Sequence, residues 1–541
     1  MLRTRRDRCQ KSHPTARDFI AFEIEPHAQI GKDEIQSTGQ QLVQSDGQDR
    51  LESGRRRKFE RWLVFIFLAS LPLMNPWVRG DGIGYYALAR APLIEHSLDF
   101  VHDYQSGNAS FRDARIDENG VPRPSFRTPT GHLDNHFTVG PAILWTPFLL
   151  IAHVGVLLAR AMGSHVASDG FSAPYRFAMA FGTALYGFLG LLLANRLAGK
   201  YVDERWAFLA TISIWWSSSL PVYMYFNPAW SHAHSASAVA LFLWYWHETR
   251  VQRTTRQWCF LAVIDGLMLN VYYANITVLT VLVIEAIQQY LAALRSRARV
   301  DKSSTNSSSG SISAARLVAN HLLFGVIVIL CFLPTFITRY VIYGSPLESG
   351  YIPLSEWAWR SPYFLSVLFS PDHGLFVWTP VVLLAVAGLF VFWRRQPGVG
   401  TPMLAAVLAF YLLIACYPDW DGISSYGNRF FVSLTAPFIL GLSVLLDRAA
   451  RFFRSPRAAL AAASSLVACV ILWNMAFLFQ WGTHLVPARG PIVWSEMIHN
   501  QFFVVPREIS AKAQTYLFHR ANLMRQIEER DIEQMNKPPA P

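Results

Sequence analysis

The chain has 541 residues, of which 52% are hydrophobic and only 16% charged, and it carries a formal net charge of +11. Apolar stretches of roughly 17–25 residues recur along it, each long enough to cross a hydrocarbon core of about 30 Å, whereas helices of soluble domains interrupt such runs with a polar face. This excludes a string of soluble domains. It also excludes a nucleic-acid binder, because the basic residues stand in short clusters between apolar segments, as the positive-inside rule places them in cytoplasmic loops.

Residues 1–58 are polar and mixed in charge and lack apolar periodicity, which predicts a disordered cytoplasmic segment. A secretory signal would put its apolar core near the start. The first apolar run, about 61–78, is therefore expected to be an uncleaved anchor, with RRRK at 55–58 holding its N-terminal end inside. Further helices are predicted near 139–162, 174–198, 205–225, 231–247, 258–274, 276–293, 317–340, 376–393, 402–418, 431–447 and 458–481. "DKSSTNSSSGSIS" (301–313) reads as a flexible linker. The five cysteines (Cys9, Cys259, Cys331, Cys416, Cys469) form no CxxC or Cys/His cluster and read as packing residues.

The basic clusters decide the topology. If 139–162 spanned the membrane, Arg196, Lys200, Arg205, Arg250, Arg253 and Arg256 would fall outside; if it does not, every cluster falls inside. Pro141 and Pro147 interrupt its hydrogen-bond ladder, which suits a re-entrant or surface-lying helix. The expectation is an all-α polytopic membrane protein of about 11–12 helices, with a juxtamembrane helix in the first outer loop. A transmembrane domain would cover 59–481, with outer loops at 79–173 and 344–375, and an extracytoplasmic tail would cover 482–541.

Loop 79–138 is rich in functional groups: Asp81, Glu95, Asp99, Asp103, Asp113, Asp117, Glu118 and Asp134, with Arg112, Arg115, Arg123, Arg127, His132 and His136. The acids at 113–118 read as a solvated face. Asp81 lies just past the first apolar run between Gly80 and Gly82, where a bare backbone lets a substrate approach. On residue type alone, an N-cap for a helix starting at Ile83 is the plainer reading. His132, Asp134 and His136 have period-two spacing that could ligate a metal from one strand face, but the pattern lacks a third histidine. Asn227, Ser231, His232, His234, Asn275 and "LESGY" (347–351) gather at the ends of apolar runs, where they read as caps, anchors or the rim of a cavity.

The stretch "GDGIGYYALARAPLIEHSLDF", just after the first apolar run, resembles the GT-C superfamily of membrane glycosyltransferases, in particular bacterial relatives of protein O-mannosyltransferases and lipid A aminoarabinose transferases. "TPTGHLDNHFTVGPAILWTPFLLIAH" (128–153), "SPDHGLFVWTPVVLLAVAGL" (370–389) and "WDGISSYGNRFFVSLTAPF" (420–438) are similar to family segments in the same order. The resemblance covers about 60–450. It implies a GT-C-type helix bundle in a bacterial inner membrane that transfers sugar on the extracytoplasmic face from a polyprenyl-phosphate-linked donor to a hydroxyl of a glycan, lipid or protein. It implies Asp81 as general base; many members carry a second acid where Gly82 stands, and here either Asp103 or Asp99 supplies that charge or a single acid serves.

A leaving phosphate calls for cations, and an arginine offers a planar fork that matches phosphate oxygens. Arg429 is the first candidate to bind it, ahead of Arg127, His132 and His136, with Tyr85 four residues past the base. An interfacial snorkelling arginine is the plainer reading of Arg429. The chemistry admits a divalent metal without requiring one. The rival readings are a lipid or solute transporter and a non-catalytic membrane scaffold. Within the apolar runs the ionisable groups Asp265, Glu285 and His153 are few, whereas a transporter is expected to place such groups along a path near mid-membrane.

Overall fold

The computed structural model describes residues 57–107, 115–117, 119–300 and 314–535. Most of the segment 1–58, Arg112, Asp113, Glu118, the linker 301–313 and the last residues of the tail lie outside them. The chain is an all-α polytopic membrane protein. Among the described residues the only bridges of β type are the isolated pairs Ile116–Pro122 and Arg127–Leu133.

The principal helices are α1 (57–70), α2 (Asp81–Arg90), α3 (Gly140–Ala161), α4 (Ala173–Ala198), α5 (Glu204–Ser217), α6 (His232–Thr249), α7 (Thr255–Val271) and α8 (Thr280–Val300). They continue with α9 (Ala314–Cys331), α10 (Leu333–Tyr343), α11 (Val381–Arg395), α12 (Pro397–Cys416), α13 (Thr435–Ala450), α14 (Pro456–Gly482), α15 (Val505–Phe518) and α16 (Arg520–Met535). Among the described residues, seven helical segments are long and apolar enough by themselves to cross a membrane.

Contacts at the two ends fix direction. Arg196, at the end of α4, pairs with Glu60 of α1 at 2.8 Å, and Lys200 pairs with Glu248 at the end of α6 at 2.7 Å. These acids and bases define the basic end. At the other end, Tyr86 donates to the Gly170 carbonyl at 2.6 Å, and Arg90 donates to the Asp169 carbonyl, just before α4 begins. So α3 leaves from the Asp81 end, where Gly140 sits against the backbone of Asn270 and Val271 with no room for a side chain, and it returns to the same end. It is one of the seven long apolar helices, yet it does not cross the bundle. Among the described residues, the other six run between the two ends, and the shorter α1, α5, α6, α7 and α11 pack alongside them. The all-α polytopic class is as expected from sequence.

Of the shorter helices, α5 and α6 are largely buried inside the bundle, where small residues let backbones approach, whereas α1 keeps much of its surface exposed. At the crossing of α11 and α13, Gly388 lies against the backbone of Gly441. The ionisable groups within the apolar runs are few and mostly paired: Glu285 meets Arg253 at 3.1 Å, and His153 meets the Tyr175 hydroxyl at 2.7 Å.

The tail after 482 is not a loose extension. Helices α15 and α16 fold back over the segment that links α1 to α2. Tyr516 donates to the Leu73 carbonyl at 2.7 Å, Arg520 donates to the Pro72 carbonyl at 2.7 Å, and Asp531 pairs with Arg79 at 3.1 Å. Pro76 has no N–H for the Pro72 carbonyl, and the chain leaves helical geometry at Met74, so carbonyls of this segment lack helical partners and the tail supplies donors.

Candidate functional site

The chain after α1 turns at Gly80, whose φ of 58° lies in the left-handed region that glycine reaches without cost. Helix α2 then begins at Asp81, not at Ile83. Gly80 is the N-cap, and no side chain caps the helix, so the capping role for Asp81 is overturned. Asp81 sits in the first turn, where a negative charge meets the positive end of the helix. Its Oδ2 lies 3.0 Å from the Arg429 guanidinium; the two side chains are 28% and 12% exposed respectively, so the pair faces a solvent-connected recess rather than the core.

Arg429 is delivered by the Gly427–Asn428 turn before α13, with Gly427 at φ 58°. Its guanidinium lies over the Trp230 ring at 4.5 Å, and its Nε is buried without a hydrogen-bond partner. This is not a snorkelling arginine: the charge is held inward by an acid and a ring. Tyr85, one turn along α2, accepts from Ser231 at 2.9 Å. Burial first, then the Asp81 charge, push the Tyr85 phenol up to about 12, so it stays a neutral hydrogen-bonding group at pH 7. Ser231 and Tyr351, from the proposed rim, thus reach the site: Tyr351 packs edge-on against His136 at 4.7 Å.

Packing explains why glycine stands at position 82. A Cβ at Gly82 would lie 2.6 Å from the Ala229 Cβ and 3.2 Å from Trp230, so no side chain fits. Neither substitute acid stands at Asp81. Asp103 is buried in a two-point pair with Arg90, at 2.6 and 2.7 Å. Arg90 is further held by Glu95 at 2.8 Å and by the Phe171 ring at 4.2 Å. Asp99 is exposed and accepts from the Val101 amide, a local turn bond.

The remaining candidates are placed apart. Arg127 is exposed, bridged through its backbone to Leu133. His132 spends Nδ1 on the Thr130 hydroxyl at 2.9 Å. Asp134 is committed to Arg115 at 2.8 Å and to the Tyr343 hydroxyl at 2.5 Å, with His136 at 3.6 Å. Burial alone would raise the Asp134 carboxyl, but His136, Tyr343 and Arg115 together hold it well below the usual carboxylate range. The three residues 132, 134 and 136 lie on an irregular loop, not on one strand face, and do not assemble as a metal triad.

Sequence reading missed a second group beside Arg429. The loop 417–428 brings Asp419 and Asp421 toward it: a Cβ at Gly422 would touch the Arg429 Nε at 3.2 Å. Ile423 in this loop has φ 61°, a left-handed conformation that a β-branched residue adopts at a cost of about 1–3 kcal/mol. Facing Asp421 are Asp372 and His373 of the loop before α11. Burial first, then the Asp421 charge, push Asp372 up to about 6. Burial first and the Arg429 charge push His373 down to about 4, although Asp421 pulls the other way. In sequence, "SPDHG" and "WDG" stand only as parts of longer similar segments, since nothing in the linear order shows that they meet.

No family model matches this chain, and no curated protein matches it. Among solved structures, the chain is similar to the oligosaccharyltransferase AglB from the archaeon Archaeoglobus fulgidus, solved in complex with an inhibitory peptide and a dolichol-phosphate. The two share 13% identity over 88% of this chain and 56% of that chain, with a TM-score of 0.40. The chain thus spans a little over half the length of that structure.

Proposed function

We propose that this protein is an integral-membrane glycosyltransferase of the GT-C type, taking a sugar from a polyprenyl-phosphate-linked donor on the extracytoplasmic face of a bacterial inner membrane. The observation that carries the reading is the Asp81–Arg429 pair, 3.0 Å apart and partly open to solvent, at the end of the bundle opposite the basic clusters. A carboxylate base and a phosphate-matching cation are the two groups that transfer from a lipid phosphate calls for.

In this reading the donor phosphate engages Arg429 in place of Asp81, and the freed carboxylate takes the proton of an acceptor hydroxyl. The acceptor oxygen forms a bond to the anomeric carbon. The bond from that carbon to the phosphate oxygen breaks, and its electron pair leaves on the phosphate. One displacement inverts the anomeric centre. Asp103 and Asp99 take no part: the first braces Arg90 and the second shapes a turn. Tyr85, Trp230 and Tyr351 wall the site, and rings of this kind suit the faces of a sugar.

The test is transfer from a radiolabelled polyprenyl-phosphate sugar by the purified protein in lipid nanodiscs. Arg429→Ala is expected to raise the donor KM and Asp81→Asn to lower kcat. Transfer by Asp81→Asn at the wild-type rate would overturn the assignment.

A further inference from the structure

We propose that Asp372, His373 and Asp421 form a binding site for one divalent transition-metal ion beside Arg429. One ligand atom from each residue can be chosen so that all three lie within 4.8 Å of one another; ligands about 2.1 Å from a tetrahedral ion stand about 3.4 Å apart, so side-chain adjustments that close the span by up to about 1.4 Å would seat an ion.

The independent observation is the state of His373. Its side chain is fully buried, and neither ring nitrogen makes a well-formed hydrogen bond. Leaving a buried polar group unsatisfied costs about 1–3 kcal/mol, so such a group calls for an explanation. Nδ1 lies 3.3 Å from Oδ1 of Asp372, a contact too poorly aligned to serve either buried atom as a hydrogen bond.

The local backbone holds this arrangement. His373 itself sits at φ 57°, and its loop is tied down by the Trp378 indole, which donates to the Pro371 carbonyl at 3.0 Å. On the facing loop, Oδ1 of Asp421 accepts from the Ile423 amide at 3.1 Å, which fixes the carboxylate and leaves the other oxygen to coordinate. Asp372 and Asp421 keep part of their surface in solvent while His373 is sealed, so an ion has a way in and a dry inner ligand.

One imidazole and two carboxylates suit Mn²⁺ or Zn²⁺; Mg²⁺ and Ca²⁺ prefer oxygen alone. The ion would tie the loop before α11 to the loop that carries Asp421 past Arg429. It would also place positive charge next to that arginine, where an anionic ligand would feel both.

The test uses the full-length protein in lipid nanodiscs, stripped with chelator and desalted. It is titrated with MnCl2 by electron paramagnetic resonance and with ZnCl2 by calorimetry. One equivalent of ion is expected, with His373→Ala and Asp421→Asn each weakening binding at least ~10-fold and Asp99→Asn, at an exposed turn away from the site, binding as wild type does. Should His373→Ala fail to fold, Asp421→Asn at a partly exposed position carries the same test. No stoichiometric uptake by the wild type overturns the proposal, as does unchanged affinity in the folded variants. Binding is read without sugar transfer, so a negative result here leaves the glycosyltransferase reading standing, and loss of transfer elsewhere leaves this site standing.

Discussion

Replacing Asp81 by Asn keeps the size and shape of the side chain and removes its charge and its capacity to take a proton. Arg429 then keeps its seat over Trp230 at 4.5 Å but loses the carboxylate at 3.0 Å. Because the Asp81 side chain is more than a quarter exposed, water screens the lost pair, and the stability change is expected to stay within about 1 kcal/mol. The rate change is expected to be far larger. A positioned base contributes about 10²–10⁴-fold, equivalent to roughly 2.7–5.5 kcal/mol of activation free energy. Initial rates of sugar transfer in nanodiscs, read beside a thermal-shift curve of the same sample, separate the two quantities. A variant that melts with the wild type and transfers at a small fraction of its rate agrees with the reasoning. One that melts early and loses activity in proportion would make Asp81 a structural residue, and one that transfers normally would make the pair an ordinary ion bridge.

Asp103→Asn is expected to do the opposite, removing one partner of a buried pair and costing about 3–5 kcal/mol, seen as a lowered melting temperature. Gly82→Asp, which would restore a second acid, is expected to lose stability by about 1–3 kcal/mol and gain no activity, because its Cβ meets Ala229. In a cysteine-free background, an impermeant thiol reagent is expected to label Gly163→Cys from the face that carries Asp81 and to reach Gly199→Cys only from the opposite face; labelling of both from one face would refute the return of α3. Asp134, whose folded-state pKa is depressed, contributes stability that is fully present above the ordinary carboxylate pKa of about 4 and is lost as pH falls below it. Thermal melts from pH 7 down to pH 3 are expected to show a shallower acid loss in Asp134→Asn.

The linear sequence determined the membrane class, because that follows from run length and charge count, both local sums. It also gave the reason to expect α3 to return, since one wrong crossing would place six basic residues on the wrong side. It singled out Asp81 and Arg429 at positions 348 residues apart, and the fold set them in contact. Other features depended on neighbours in space. Asp103 looks like a catalytic helper until Arg90 is seen gripping it, and Gly82 looks like a missing acid until Ala229 and Trp230 are seen filling its space. The tail reads as a polar extension until the bare carbonyls of the segment linking α1 to α2 are seen to need its donors. Asp372, His373 and Asp421 come from two loops separated by α11 and α12, and only the packing of those helices brings them face to face. Chain order records which groups are available and roughly how deep they lie. Which carboxylate stays free to react is decided by the cations that the folded backbone delivers to the others.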